Sequence, residues 1–557
     1  MAKTKHKVAT IEKLLLNYEL AELPSSQHRA GLAGLVCIIR WLKRQPDFKQ
    51  RLENGAICKL TRLDDRGATI ELNQAGVEAL FDEIYAASTE EQERPQPLKN
   101  KQKEIIPPLR EEERAITDEK GKTKTKKVYI YPVVVPRGSF LADPACDKSS
   151  DGKDGLWIKL WRDMVWSILR GVPATRKPFE ARAEGAYSDD AASVWNQLTQ
   201  SEDFTVDLPS TYFLGAQASN AENVPFKDRA RFQFLLHFWL FAAQIYVPAV
   251  IDNEGKRNFV GYAVAIPDVA NLEWFCDELP EILRSRSIER SGYRPRDCVV
   301  DLAVESALDM IKRLRDRLKQ TMGEQSTAST VFGIDVIHTE KQGNNIRVLS
   351  TSRLDPEESM LDQYAQIRDG FWSPLFRKQR LLNLVNHQSW YMGFDALLCT
   401  LPYEQTIEND YFRRDVREQL KALIDREKHM DETATLEDST AIETLVFQLV
   451  RNYVNCKLKA KYDLEWKADW KGLKTEELNQ RSDYKEYAEM KAKIAKSAFL
   501  DIRSRTEQMD FINYFVSSLC SVPQHMKSEA FVGLTRALYQ ETDKIRTLTL
   551  LALSANG

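Results

Sequence analysis

The 557-residue chain has no Cys-x-x-Cys pair, no phosphate-cradling glycine loop, no clustered histidines and no large excess of charge of either sign. Each absence narrows the function. Without G-x-x-x-x-G-K-[ST], or G-x-G-x-x-G after a strand, a nucleotide-driven motor is not expected. The seven histidines are dispersed, with no H-x-x-x-H pair to start a metal site, which argues against a metal-dependent nuclease. His237, inside an apolar run, is expected in the core. The eight cysteines are unpaired by spacing and follow no leader segment, so they read as small core residues in a reducing cytoplasm. Lys and Arg number 79 against 82 Asp and Glu, a net charge of -3. Any nucleic-acid surface is therefore a local patch rather than a global field. One apolar stretch, FQFLLHFWLFAAQIYVPAVI (232–251), is long enough for a bilayer. It carries Gln233, His237, Gln244 and Pro248, so a buried helix running into a strand is expected and no membrane partner.

What is present is a folded composition, 43% hydrophobic and 29% charged, long enough for roughly three or four domains. The pattern predicts an α+β body with antiparallel hairpins, followed by an all-α C-terminal bundle. The expected segments are an N-terminal α+β part (1–87), a flexible charged insertion (88–127), a central body (128–358), a helical connector (359–429) and the bundle (430–557). Helices are expected at 11–17, 30–43, 74–87, 155–170 and 297–320. Hairpins are expected over 56–72, around Asp252-Asn253-Glu254-Gly255, and over 331–350. In the last segment, apolar residues recur at helical spacing: Ile442, Leu445, Val446, Leu449, then Ile494, Ala498, Phe499, Ile502.

Three basic clusters carry what chemistry there is. Lys120, Lys122, Lys124, Lys126 and Lys127 place point charges on an expected flexible arm, suited to phosphates but not to base identity. Arg284, Arg286, Arg290, Arg294 and Arg296 surround Tyr293 in RSRSIERSGYRPR, suited to phosphate or bidentate base contacts. Arg176 and Lys177 precede Asn196 and Gln197, whose amides can read base edges. In the bundle, residues 451–505 carry 14 Lys or Arg against 9 Asp or Glu. Lys457, Lys459, Lys461, Lys491, Lys493 and Lys496 are candidates for a face tracking a single strand. Asp297, Asp301, Glu305 and Asp309 fall four apart and continue into Arg313 and Arg317. Acids first and bases last complement a helix dipole, so a solvated face is expected rather than a metal or acid/base site. No catalytic residue, cofactor or metal is assigned.

The chain resembles the large subunit of a type I CRISPR Cascade complex, the Cas-eight family in its Myxan or I-B-like form. The residues that carry this are GVPATRKPFEAR (171–182), VWNQL (194–198), FINYFVSSLCSVPQ (511–524) and IRTLTLLALSA (545–555). The resemblance covers most of the chain, and 88–127 matches least. It implies a non-catalytic subunit beside the crRNA 5′ handle. Such a subunit recognises the protospacer-adjacent motif in double-stranded target DNA, promotes R-loop formation and holds the displaced strand. It implies Cascade backbone and handle-binding subunits as partners, small helical subunits, and either a helicase-nuclease or a transposition adaptor, since some relatives accompany Tn-seven-like transposons. It also makes Met430 a candidate internal start for a free small subunit. The competing functions are a metal-dependent nucleic-acid hydrolase built on the 297–309 carboxylates, and a purely structural scaffold.

Overall fold

The computed structural model describes residues 11–100, 102–117, 123–143, 145–147, 149, 155–168, 176–186, 189–207, 227–252, 256–323, 329–343, 345–430, 441–523 and 526–556. The fold is α+β, with small antiparallel sheets in the first part and helices in the last. Two compact units form: Met1–Ala249 with Phe259–Glu357, and Val250–Asn258 with Glu358–Gly557.

In the first unit, β1 (Leu14–Glu19), β2 (Cys58–Leu63) and β3 (Gly67–Leu72) make a sheet in the order β1-β3-β2. The helix expected over 11–17 is thus a strand in the described part. Leu16 and Tyr18 are buried while Leu15 and Asn17 are exposed, a period of two that pairing with β3 selects over leucine's helical preference. The spine of this unit is α1 (Ser26–Leu42), capped by Ser25 and buried at every residue from 30 to 39. Such a helix is apolar all round because it has no solvent face. Gly31 and Gly34 let it cross the 232–251 run closely: a Cβ at either would collide with the carbonyl of Leu235 or Phe238.

Helix α2 (Gln74–Ile84) follows. Residues 88–127, expected to be a flexible insertion, contribute to a three-stranded sheet instead. Strands β4 (Ala87–Arg94), β5 (Arg110–Thr117) and β6 (Thr123–Pro136) lie in the order β4-β6-β5. No apolar alternation announces β4 or β5, because their side chains meet across the sheet as charges: Arg110 with Glu91 at 2.6 Å, Arg114 with Glu93 at 2.5 Å, and Lys127 with Glu111. Exposed pairs of this kind are screened by water and contribute little to stability. The backbone ladder, in register from Ala87↔Pro136 to Arg94↔Tyr129, holds the sheet.

Helices α3 (Leu156–Ile168), α4 (Arg176–Ala183) and α5 (Asp190–Leu198) come next. The 232–251 run is then helix into strand, as its polar residues indicated: α6 (Ala230–Leu235), α7 (Trp239–Ala242) and β7 (Gln244–Ile251). His237 is half-buried, packed against Phe81 and hydrogen-bonded to Tyr85. Burial pushes its imidazole down to about 3, so it is neutral. Strand β8 (Tyr262–Val269) and helix α8 (Leu272–Arg284) lead to a small hairpin, β9 (Arg290–Ser291) and β10 (Arg294–Pro295), and to β11 (Val299–Val300), which joins β7 in parallel. Helix α9 (Glu305–Met322) and strands β12 (Val331–Gln342) and β13 (Asn345–Leu354) complete the unit, and β7-β8-β12-β13 pair antiparallel in that order. The helix expected over 297–320 begins only at Glu305. Its first residues are diverted into β11, and Glu305 Oε2 accepts the Asp301 N–H at 2.6 Å, setting the helix start there. Among the described residues, no helix is long and apolar enough to cross a membrane.

The second unit is helical: α10 (Glu358–Gly370), α11 (Pro374–Val385), α12 (Phe394–Thr400), α13 (Asp410–Met430), α14 (Ile442–Tyr462), α15 (Ser482–Arg503), α16 (Gln508–Tyr514), α17 (Ser528–Gln540) and α18 (Thr542–Asn556). The connector expected at 359–429 and the bundle expected from 430 share one apolar core. Phe376, Phe394, Leu398, Phe412, Val416 and Leu420 pack into the same cluster as Leu445, Leu449, Phe499 and Leu551. Helix α18 packs on α12 and α13 as well as on α14 and α15. A product beginning at Met430 lacks those six upstream side chains, each of which contributes about 1.5–3 kcal/mol of burial. Side chains before Met430 thus share a core with the helices after it. Expressed alone, 358–557 is expected to melt cooperatively, whereas 430–557 is expected to bind a hydrophobic dye and melt without a sharp transition. Equal cooperativity in calorimetry contradicts the shared core.

Candidate nucleic-acid interface

The arginine cluster 284–296 divides into a half-buried base and an exposed tip. Arg286 stacks 4.0 Å over Trp157 and donates to Gln244 Oε1. Burial, opposed by Tyr246 and reinforced by Arg313, pushes its guanidinium down to about 10. Arg284 donates to the Ala145 carbonyl at 2.7 Å and pairs with Glu281. These two arginines are engaged within the fold, Arg286 half-buried on Trp157 and Gln244. The tip is different. Gly292 takes the left-handed conformation (φ 66°) that a tight hairpin needs, and leaves Tyr293 73% exposed. The Arg294 guanidinium lies 4.1 Å over the Tyr293 ring and 4.5 Å over Phe259. Arg296 is exposed and pairs with Glu289. Arg290 sits on β9 at the same tip, also exposed.

The carboxylates expected on a solvated helix face anchor this hairpin. Asp301, Glu305 and Asp309 are buried. Asp297 accepts from the Ser287 N–H at 3.2 Å and from Arg313 at 2.9 Å. Arg313 also donates to Asp309 at 2.8 Å, and Asp309 accepts the Tyr246 hydroxyl at 2.8 Å. Burial lowers the Arg313 pKa, but Asp309, Tyr246 and Asp297 outweigh it and hold the guanidinium charged. The chain of bonds ties the hairpin base to α9 and β7. The correction has a physical cause: one-dimensional spacing cannot tell a stripe facing water from one facing a sheet. With Asp297 and Asp309 engaged by Arg313 and Glu305 by backbone N–H groups, the stripe does not converge on an open site. Among the described residues, no three His, Cys, Asp or Glu are placed to hold a metal ion.

The other candidates are dispersed. Arg176 stacks 4.3 Å over Trp166 and donates to its carbonyl, so the fold uses it. Lys177 and Asn196 are exposed and Gln197 half-buried, on separate helices. Of the lysine run, Lys120 and Lys122 lie outside the described residues, Lys124 and Lys126 fall on β6, and Lys127 pairs with Glu111. In register on β5, Lys127 lies opposite Glu113, Lys126 opposite Arg114 and Lys124 opposite Ile116. A residue missed from sequence is Arg182, at the end of the family-like motif. It clamps Asp82 at 3.0 Å and Asp190 at 3.0 Å, joining α4 to α2 and α5 beside a cleft of about 570 Å³. Neither partner lies within a helical turn of it, so no local spacing signals the clamp.

In the second unit the six lysines do not form one face. Lys459 pairs with Glu465, and Lys496 with Glu408. Lys457 lies over Tyr453 and Lys461 over Tyr462. Lys493 is exposed, but Lys491 lies roughly 140–160° round α15 from Lys493 and Lys496, at 3.6 residues per turn. Burial and the charges of Arg417, Arg451 and Arg413 push Lys491 down to about 8. The cluster around it was not visible in sequence, because its members come from three helices.

The model of the Type I-B CRISPR Cas8b N-terminal domain matches residues 57–324, and that of the Type I-B CRISPR Cas8b C-terminal domain matches residues 331–556. The chain belongs to the Cas8b family of type I-B CRISPR systems. It is the large subunit of a Cascade complex, assembled with crRNA and the other Cascade subunits for CRISPR interference. No curated protein matches the chain.

Two predictions test the electrostatics. Arg313→Met strands two carboxylates and is expected to destabilise the first unit by about 3–5 kcal/mol, whereas Arg296→Ala, at an exposed pair, costs under about 1 kcal/mol. Urea denaturation distinguishes them, and equal losses contradict the clamp. For Lys491 the folded pKa lies below the unfolded one, so the folded state disfavours the proton. The penalty is full below pH 8 and is relieved as pH rises towards 10.5. Lys491→Met is therefore expected to melt higher than the parent at pH 7, with the gap closing by about pH 10.5. A gap independent of pH contradicts the lowered pKa of Lys491.

Proposed function

We propose that the chain recognises the protospacer-adjacent motif in duplex target DNA, promotes R-loop formation and holds the displaced strand, with the hairpin 288–296 as the element that enters the groove. The observation that carries this reading is the tip itself. An exposed tyrosine with an arginine stacked on it is presented on a two-strand hairpin whose base is fixed by Asp297 and Arg313. A guanidinium pre-oriented on an aromatic face loses little freedom on binding, and it suits bidentate contact to guanine or to phosphate. Base pairing with the guide supplies the long-range specificity, so the protein needs only a few such contacts. Lys177, Asn196, Gln197 and Lys127 supply positioning contacts to the backbone in this scheme.

The hydrolase alternative has less support, since the carboxylates it needs are occupied by Arg313 and by backbone donors. The reading makes the chain a non-catalytic contributor to interference, and strand cleavage or insertion falls to a recruited helicase-nuclease or transposition adaptor.

The test is binding of the assembled complex to duplexes with the correct or a scrambled adjacent motif. Arg290→Ala and Arg294→Ala are expected to weaken binding to the correct duplex about 5- to 100-fold each and to narrow the gap to the scrambled one. Lys127→Ala is expected to weaken both alike and to flatten the salt dependence slightly. Unchanged affinity and salt slope in the arginine variants defeat the proposal.

A further inference from the structure

A second surface lies in the helical unit, away from every residue assigned above except Lys491. Trp372, between α10 and α11, is 58% exposed, and Tyr411, in the first turn of α13, is 56% exposed. Their rings lie 6.0 Å apart, and the Arg414 guanidinium stacks 4.0 Å over Trp372. The platform is rigidly mounted. The backbone N–H groups of Trp372 and Ser373 both donate to Asp415, at 2.7 and 2.6 Å, and Arg414 pairs with Asp415 at 3.0 Å. Large aromatic rings left in water on a fixed mount are the form of a recognition surface rather than of a packing element.

What the platform recognises follows from its neighbours on α13. Arg413 and Arg417 lie one turn apart on α13; at 3.6 residues per turn Arg417 is roughly 60° round from Arg414, and Arg413 roughly 100° from Arg414 and 160° from Tyr411. Arg451 on α14 and Lys491 on α15 complete a group of four cations; burial first, and then the charges of the three arginines, depress Lys491. Among the described residues, the carboxylate paired with any of the four is Asp410, which is 3.4 Å from Arg413 and itself 92% exposed. The Arg413 Nε is buried with no hydrogen-bond partner. Arg417 donates to the Ala555 carbonyl at 3.2 and 3.0 Å, a partner without charge. Cations gathered with so little counter-charge repel one another, and they persist where an anion completes the site. A protein partner's apolar hot spot uses the aromatics but leaves these charges unanswered. A nucleic-acid strand uses both, the base on the ring and the phosphates on the cations.

We infer that Trp372, Tyr411 and Arg414 form a stacking site for an unpaired base, whose flanking phosphates bind Arg413, Arg417, Arg451 and Lys491. The ligand is a single strand, because a paired base offers no free face to a side-chain ring. The inference deepens the strand-holding part of the proposed function and rests on that reading, but not on the hairpin or on motif recognition. It also moves the strand contact from the scattered lysines of α14 and α15 to the start of α13.

The test is fluorescence anisotropy of the full chain with a labelled thymidine oligonucleotide of about 10 nucleotides, beside the same backbone made of abasic sites. Trp372→Ala is expected to weaken binding to the thymidine strand about 5- to 10-fold, with Trp372→Phe losing less. On the abasic strand Trp372→Ala is expected to bind like the parent. Lys491→Gln is expected to weaken both strands and to reduce the salt slope by about 0.7. Trp372 is exposed, and Tyr411→Ala serves as an independent variant should Trp372→Ala unfold. The inference is overturned if the Trp372 and Tyr411 variants bind the thymidine strand like the parent, or lose as much on the abasic strand. It is equally overturned if they keep full strand binding but no longer assemble with the other Cascade subunits, which identifies a protein-docking patch. The probe holds no duplex and no adjacent motif, so failure here and failure of the hairpin variants are separable.

Discussion

Arg313, held between Asp297 and Asp309, is the constraint on which the first unit depends. One guanidinium joins the base of the exposed hairpin to the middle of α9, and through Asp309 and Tyr246 to the central strand β7. A buried charge is tolerated only where opposite charges and hydrogen bonds complete it, and its removal is costly because the partners are then stranded. The network therefore fixes position more than it adds net stability. Its effect is to make a hairpin with two-residue strands stiff enough to present Tyr293 and Arg294 in a defined orientation. Arg286, half-buried beneath it on Trp157, fills the space behind that base.

The same logic separates the residues of one basic cluster by role. Arg284 and Arg286 are near the chain of Arg290, Arg294 and Arg296 in sequence, yet the first two satisfy the interior and the last three reach solvent. A cluster of arginines signals that charge must be handled there, but not on which side of the surface. In the helical unit the converse holds. Arg413, Arg417, Arg451 and Lys491 come from three helices, α13, α14 and α15, and among the described residues the carboxylate paired with them is Asp410, on Arg413. Lysines that looked like one face, such as Lys459 and Lys496, are instead spread around their helices and paired with Glu465 and Glu408.

Much of the architecture was legible along the chain. The period of the last 115 or so residues predicts their helices, and those helices are present; the three hairpins fall where turn residues interrupt alternating strands; and Gln233, His237, Gln244 and Pro248 mark 232–251 as interior rather than membrane-spanning. Three features were illegible for stated reasons. Strands β4 and β5 lack alternation because their cross-strand partners are charges. Strand β1 depends on β3, over fifty residues away. The limit of the helical unit depends on Phe376, Phe394 and Phe412 reaching the same core as Leu551, which no local period records.

Sequence by itself determined the class of this protein: an α+β body with a helical C-terminal part, and family-like segments that the Cas8b domain matches bear out. These are carried by local periodicity and by motifs, which survive without knowledge of the fold. Only the tertiary structure decided which charges are interior and which are offered to a partner. Burial and ion pairing are relations between residues far apart in the chain, and Asp297 with Arg313, or Lys491 with Arg417, become neighbours only when the helices pack.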